Sequence, residues 1–401
     1  MLSEQSHWRR ARRGALCLAV IATLLLHAAP AGALSNCPPT MVPCRTAWVG
    51  GFNDTSPVLG QGDFNGDGAG DLLLLHRGGL WFWYGSPSQV PVTVALGAVR
   101  IMHSVAMARQ LVGTEPVIGD FDGDGRSDVL WASQYGAVED NGQIWFGTSG
   151  FGRFEGGPAA GTGHHPGSEA LVGDFDADGG DDVVWYRETG GELMLQLLHG
   201  DRTGLQASAY PDQLPPRQRT LVGDFDGNGA DDVLFYDERN GRTRLWYFEG
   251  GGGIDVRLTN PGTGLRPRVG DFDGDRISDV LWYGPGELLD AYWFGVAGRT
   301  FRGGPLAAPV GGNRFPVVAD LDGDGRSDIF WWDGATAGDD IWLTRGALPY
   351  VIAHELGGVS QLIMTDFDAD DATDLLFFGM QDLAGNPTTW SLWWLTSDPA
   401  P

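Results

Sequence analysis

The stretch GDFDGDGRSDVLW, residues 119–131, decides how this chain folds. Its acidic nonapeptide starts at Asp120 and recurs from Asp63, Asp174, Asp224, Asp271, Asp320 and Asp366, with successive steps of 57, 54, 50, 47, 49 and 46 residues. A period near fifty residues marks a propeller or a solenoid, whose repeats bury their apolar faces only against their neighbours. Behind each copy runs a four-residue apolar segment, at 72–75, 129–132, 183–186, 233–236, 280–283, 329–332 and 375–378. Short runs rich in β-branched and aromatic residues, apolar on both faces, read as strands buried on both sides.

The nonapeptide carries oxygen-bearing side chains at positions one, three, five and nine. In chain order these are Asp63, Asn65, Asp67 and Asp71, then Asp120, Asp122, Asp124 and Asp128, then Asp174, Asp176, Asp178 and Asp182, then Asp224, Asp226, Asn228 and Asp232. The last three copies offer Asp271, Asp273, Asp275 and Asp279, then Asp320, Asp322, Asp324 and Asp328, then Asp366, Asp368, Asp370 and Asp374. Hard oxygens at alternate loop positions suit calcium, to which the position-seven carbonyl of Ala69, Arg126, Gly180, Ala230, Ile277, Arg326 or Ala372 can add another donor. Up to seven calcium ions are expected. A glycine at position six permits the positive φ of the turn; the fifth loop has Arg276 there and the seventh Asp371, so the fifth site is ranked weakest and the seventh intermediate. An EF-hand is ruled out because position twelve, where that loop needs a glutamate, is Leu74 in the first copy and Trp131 in the second. The loop is therefore expected to join two strands.

These residues resemble the FG-GAP or VCBS repeats of integrin α-subunit propellers and of many secreted bacterial proteins. The resemblance spans residues 45–398 and implies one four-stranded blade per repeat, with calcium in the hairpin between adjacent strands. Seven copies then imply an all-β, seven-bladed β-propeller. A further strand per period is visible without it, at 81–85, 144–147, 193–198, 245–248, 292–295, 341–343 and 392–395, and more polar candidates follow at 153–156 and 350–354. Four short strands per period match a blade. After the seventh loop the chain has room for only two strands, so residues 46–51 are expected to supply the missing outer strand and close the last blade. The aromatic at loop position two (Phe64, Phe121, Phe175, Phe225, Phe272 and Phe367, with Leu321 the exception) is expected to wedge between blades.

Arg9, Arg10, Arg12 and Arg13, an apolar stretch over 15–26 and Ala31-Gly32-Ala33 read as a signal peptide over residues 1–33, with an uncleaved anchor the alternative. The mature protein is then secreted or associated with the cell envelope, with no membrane span. Within residues 34–44, Cys37 and Cys44 form the one cysteine pair outside the signal, and a disulfide between them is expected in an extracytoplasmic protein.

The formal net charge is −26, and the chain has no lysine, which excludes a nucleic-acid partner. Of the 28 side chains at the four loop positions only Asn65 and Asn228 are neutral, so without metal each hairpin concentrates like charges. No G-x-S-x-G elbow or Walker loop occurs, and His354-Glu355 lacks the second histidine of a zinc helix. His164-His165, in a glycine-rich stretch, reads as a solvated pair, with a transition-metal site the alternative. Binding is left as the leading reading. Similar calcium-bearing propellers include sugar-binding lectins and integrin heads, so the expected partner is an extracellular glycan, or else a protein. A carbohydrate-active propeller enzyme (a polysaccharide lyase or hydrolase) and a structural envelope protein are the alternatives.

Overall fold

The strand that enters each acidic loop and the strand that leaves it pair as an antiparallel hairpin. Gly62 lies opposite Asp71, Gly119 opposite Asp128, Gly173 opposite Asp182, Gly223 opposite Asp232, Gly270 opposite Asp279, Ala319 opposite Asp328 and Thr365 opposite Asp374. The computed structural model describes residues 45–48, 58–76, 79–86, 99–100, 114–133, 143–150, 153–156, 168–187, 193–198, 205–210, 218–249, 252–286, 288, 290–306, 310–332, 339–344, 350–354, 361–378 and 391–394. Cys37, Cys44, the signal segment and His164-His165 lie outside them.

These residues form seven four-stranded antiparallel sheets. The fourth shows the pattern, running Arg219–Gly223, Asp232–Asp237, Arg242–Glu249 and Gly252–Arg257 in sheet order. Its second strand, DVLFYD, is buried at every residue, as its unbroken apolar run requires. Opening strands of successive sheets touch one another, from Val58–Gly62 through Thr114–Gly119, Ser168–Gly173, Arg219–Gly223 and Arg266–Gly270 to Phe315–Ala319. They therefore lie innermost, around a common axis.

The last sheet mixes the two ends of the chain. Arg45–Trp48 pairs antiparallel with Ser391–Trp394, which pairs with Asp374–Phe378 and then Gln361–Thr365. The N-terminal closing strand expected over 46–51 thus runs over Arg45–Trp48, in register Arg45 to Trp394 and Trp48 to Ser391. Residues 49–51 lie outside the described ones.

Core residues sit between sheets. Phe64, Leu73, Phe82, Val129, Trp131 and Trp145 fill the first junction, and Phe121, Leu130, Val183 and Trp185 the second. The sixth and seventh sheets meet at Leu321, Phe330, Ala372 and Leu375, and the seventh returns to the first through Ile363, Phe367 and Leu376 against Leu72 and Leu74. The position-two aromatics are among the most buried side chains, from 0% to 5% exposed, which fits the wedge read from sequence.

The loops are joined to one another by a device the sequence does not announce. The N–H of loop position eight donates to the carbonyl of position one in the preceding loop. Ser127 donates to Asp63, Asp181 to Asp120, Asp231 to Asp174, Ser278 to Asp224, Ser327 to Asp271, Thr373 to Asp320 and Gly70 to Asp366, at 2.5–2.7 Å. The series returns to its start. Several of these residues also clasp with their side chains: Asp181 Oδ2 accepts the N–H of Asp120 (2.7 Å), Asp231 Oδ2 that of Asp174 (3.2 Å) and Ser327 Oγ that of Asp271 (2.9 Å). The clasp explains the glycine ahead of the loop, because a Cβ on Gly62 would fall 2.4 Å from Ser127 Oγ and one on Gly173 would fall 2.5 Å from Asp231 Oδ2.

Candidate metal centre

Each loop is built around its first aspartate. In all seven, the position-one Oδ2 accepts the N–H of position six at 2.8–2.9 Å and Oδ1 accepts that of position five at 3.0–3.2 Å. The side chain at position five accepts the N–H of position seven at 2.6–3.1 Å, from Ala69, Arg126, Gly180, Ala230, Ile277, Arg326 and Ala372 in turn. Short polar side chains that bond backbone N–H groups two to five residues on hold a tight turn without any helix.

Position six is left-handed throughout, including Arg276 (φ 67°) and Asp371 (φ 72°), which make the same bonds to Asp271 and Asp366 as the glycines make elsewhere. A non-glycine residue there costs about 1–2 kcal/mol. Position four is left-handed too, at Gly66, Gly123, Gly227, Gly274 and Gly323 and, with a Cβ, at Ala177 and Ala369. The five glycines at position four were a signal for this second turn that the sequence reading did not use.

Position nine does more than sequence reasoning assigned to it. Its Oδ2 accepts the N–H of position two in every loop at 2.8–3.1 Å. In five loops its Oδ1 is also seen to accept an N–H from the end of the third strand of the same sheet or the residues just past it: Gly85 to Asp71, Gly147 to Asp128, Phe248 to Asp232, Gly295 to Asp279 and Thr344 to Asp328, at 2.7–2.9 Å. These aspartates are buried, and burial pushes Asp71, Asp128, Asp232 and Asp328 up to about 8 and Asp279 to about 7, against the opposing effect of the N–H donors. An ionised carboxylate has about four lone-pair sites, so two donors leave room for a cation.

Carboxylate oxygens converge in these loops. Positions one, three and nine come within 4.8 Å of one another at Asp120, Asp122 and Asp128, at Asp224, Asp226 and Asp232, at Asp271, Asp273 and Asp279, and at Asp320, Asp322 and Asp328. In the third loop the converging set is Asp174, Asp176 and Asp178. Position three supplies the decisive observation: Asp273 Oδ1 and Asp368 Oδ1 are buried with no hydrogen-bond partner. A buried carboxylate oxygen without a donor costs several kcal/mol unless something positive faces it. Burial, followed by the charges of Asp370 and Asp366, pushes Asp368 up to about 7. The acidic clusters thus have the donor set of a hard-metal site.

Two loops have an arginine at the same place. Arg299 Nε donates to Asp226 Oδ2 (2.9 Å) and its Nη2 to Glu249 (2.6 Å), while Arg302 Nη2 donates to Asp273 Oδ2 (2.9 Å). In the fourth loop Asn228 uses its Oδ1 on Ala230 and turns its amide to the Phe248 carbonyl (2.8 Å). The sequence distinguished the fifth loop by Arg276, but that residue leaves the turn intact; the cation that reaches into the fifth cluster is Arg302.

Residues 120–185 match the family model of the FG-GAP-like repeat. That segment holds the second and third loops and the strands between them. In fold the chain is similar to a lectin of Agrocybe aegerita, solved for its specific recognition of non-reducing terminal N-acetylglucosamine, at 14% identity and a TM-score of 0.60 over 85% of this chain and 84% of that one. A further likeness is to the Tc holotoxin pore of Photorhabdus luminescens, at 15% identity and a TM-score of 0.44 over 88% of this chain and 14% of that one. No curated protein matches the chain. The fold is an all-β propeller of small antiparallel sheets.

Proposed function

We propose that this protein is a secreted, calcium-stabilised β-propeller that acts as an extracellular binding module for glycans. The observation that carries the calcium reading is the repeated cluster of convergent carboxylates, in which the position-three Oδ1 atoms of Asp273 and Asp368 are buried without donors. Oxygen ligands in a flexible loop favour calcium over magnesium or zinc. Positions one, three, five and nine and the position-seven carbonyl would hold the ion, which would neutralise the cluster and stiffen the hairpin. On this reading the seven sheets are seven blades of a closed ring, and the cyclic series of clasps between Asp366 and Gly70 supports it.

The glycan reading rests on the fold shared with a sugar-recognising lectin and on the abundance of aromatic faces, which stack on sugar rings. Among the described residues eight tryptophans are buried in the core, Trp131, Trp185, Trp282 and Trp331 being at most 3% exposed, so recognition falls to the loops between sheets. Repeated blades supply repeated sites and hence avidity. A glycan screen on the calcium-loaded protein, recording both retention and chemical change of the glycan, tests this. Saturable binding of unaltered sugar supports a lectin, degradation replaces it with an enzyme, and no binding to any glycan refutes it.

A further inference from the structure

The innermost strands are apolar at one register position in every sheet but one. Three residues before the loop lie Gly60, Val117, Leu171, Leu221, Val317 and Ile363, and in the fifth sheet Arg268. Arg268 is half-buried on Arg266–Gly270. Its Nε donates to the Pro316 carbonyl of the sixth sheet (2.8 Å) and its Nη1 to the carbonyl of Pro267 (2.9 Å). Two carbonyls satisfy two of the five guanidinium donors and none of its charge. Among the described residues no carboxylate pairs with Arg268, in a chain with twice as many acidic as basic side chains.

The charged neighbours that bear on Arg268 are Arg219 and Arg266, of its own sign. Burial and these two push the group down to about 10, so it stays charged at neutral pH. Both neighbours are engaged: Arg219 pairs with Glu238, while Arg266 donates to the Arg314 carbonyl (2.9 Å) and Asn313 Oδ1 (2.7 Å) and lies over the Phe315 ring at 4.7 Å. A partly buried charge without a counter-charge is expensive to keep, and six sister positions show that the fold does not need one there.

We propose that Arg268 anchors an anion site between the innermost strands of the fifth and sixth sheets, taking one carboxylate or sulfate group such as an acidic sugar or a free inorganic oxyanion carries. A guanidinium binds such groups through paired N–H donors. Arg219 and Arg266 flank the site and add attraction. The overall negative charge disfavours extended polyanions, so the ligand is a small anion rather than a charged polymer. This site is independent of whether the loops between sheets bind neutral sugars.

Thermal unfolding of the full mature, calcium-loaded protein in sodium sulfate and in sodium glucuronate, each against sodium chloride at matched ionic strength and with glucose as the neutral control, tests it. Wild type is expected to show a saturable rise in Tm with one or both anions and none with glucose. Arg268→Leu, which installs the residue of the third and fourth sheets, is expected to melt higher without anion and to lose the saturable response, with affinity at least about tenfold weaker. Arg268→Lys keeps the charge without the fork and should bind several-fold more weakly than wild type, which preserves the test if the leucine variant fails to fold. A response to glucuronate alone assigns the site to carboxylated sugars, and one to sulfate alone to inorganic oxyanions. An equal response in wild type and both variants, or none in wild type, overturns the proposal.

Discussion

The junction between the last loop and the first carries a side-chain exchange that can be reversed by mutation. At five junctions the residue before the loop is glycine and position eight of the next loop carries a side chain, as in Gly62 with Ser127 and Gly270 with Ser327. At the closing junction the order is inverted, with Thr365 before the seventh loop and Gly70 at position eight of the first. A Cβ on Gly70 would lie 2.0 Å from Thr365 Oγ1, 2.7 Å from Cγ2 and 2.8 Å from Cβ. Turning the threonine about χ1 moves the first two atoms but not the third, so the backbone must separate. Gly70→Ser should therefore cost about 2–3 kcal/mol in overpacking, and about 1 kcal/mol more where the 2.5 Å bond from Gly70 N–H to the Asp366 carbonyl is lost. Thr365→Gly alone should cost about 1 kcal/mol, from strand entropy and lost contacts. Together they recreate the Gly62–Ser127 arrangement, and the double variant should lie within about 1 kcal/mol of wild type, a coupling of about 2–3 kcal/mol. Urea unfolding of the four calcium-loaded proteins measures the cycle. Additive losses, or a neutral Gly70→Ser, would refute the claim that the seventh repeat docks on the first through this pair.

Asp128→Asn should destabilise the protein by about 2–4 kcal/mol, because an amide can accept from only one of the Phe121 and Gly147 N–H groups and turns its own N–H₂ on the other; urea midpoints measure this. In chelated protein, Asp71, Asp128, Asp232 and Asp328 are protonated up to about pH 8 when folded but titrate at 3.8 when unfolded. Their contribution is complete below about pH 4 and lost as the pH rises through 8. Tm without metal should accordingly fall between pH 5 and pH 8, and excess calcium should flatten or reverse the slope; a metal-free Tm that rises over that range would contradict the assignment. Arg299→Ala should tighten calcium at the fourth loop roughly two- to fivefold by removing a cation from Asp226, seen in native mass spectra as more of the highest-loaded species at limiting calcium.

Much of this was legible in the sequence because loop chemistry and strand hydrophobicity both repeat in step with the hairpin. A nonapeptide with aspartates at fixed positions and an apolar run after it has few other solutions, and the one strand missing from the last repeat matches the one spare strand candidate ahead of the first. What stayed hidden depends on contacts between repeats. Ser127, Asp181, Asp231 and Ser278 look like ordinary turn residues, and nothing local says that each faces the loop before it. Gly70 and Thr365 look unrelated in the chain, yet the fold sets them face to face, so that a Cβ added to Gly70 would lie 2.0 Å from Thr365 Oγ1. The position-nine aspartates share a spacing with metal ligands, and only the N–H donors at or just past the end of the third strand, 14 to 19 residues on, reveal them as keystones of the hairpin. Tyr186, Tyr236 and Tyr283 recur at one position after the loop, yet their role needs the structure: each hydroxyl clamps the connection towards the next sheet, as where Tyr236 donates to the Gly262 carbonyl (3.0 Å) and accepts the Leu265 N–H (3.1 Å).

The central claim is that the acidic loops are calcium sites that hold the hairpins together. Native mass spectrometry of the mature protein, before and after chelation and on return of calcium, tests it most directly. The account predicts several calcium ions per chain, as many as seven, lost to chelator with a fall in Tm and regained together with stability. A chain that retains no calcium, and melts at the same temperature with or without it, would contradict the account.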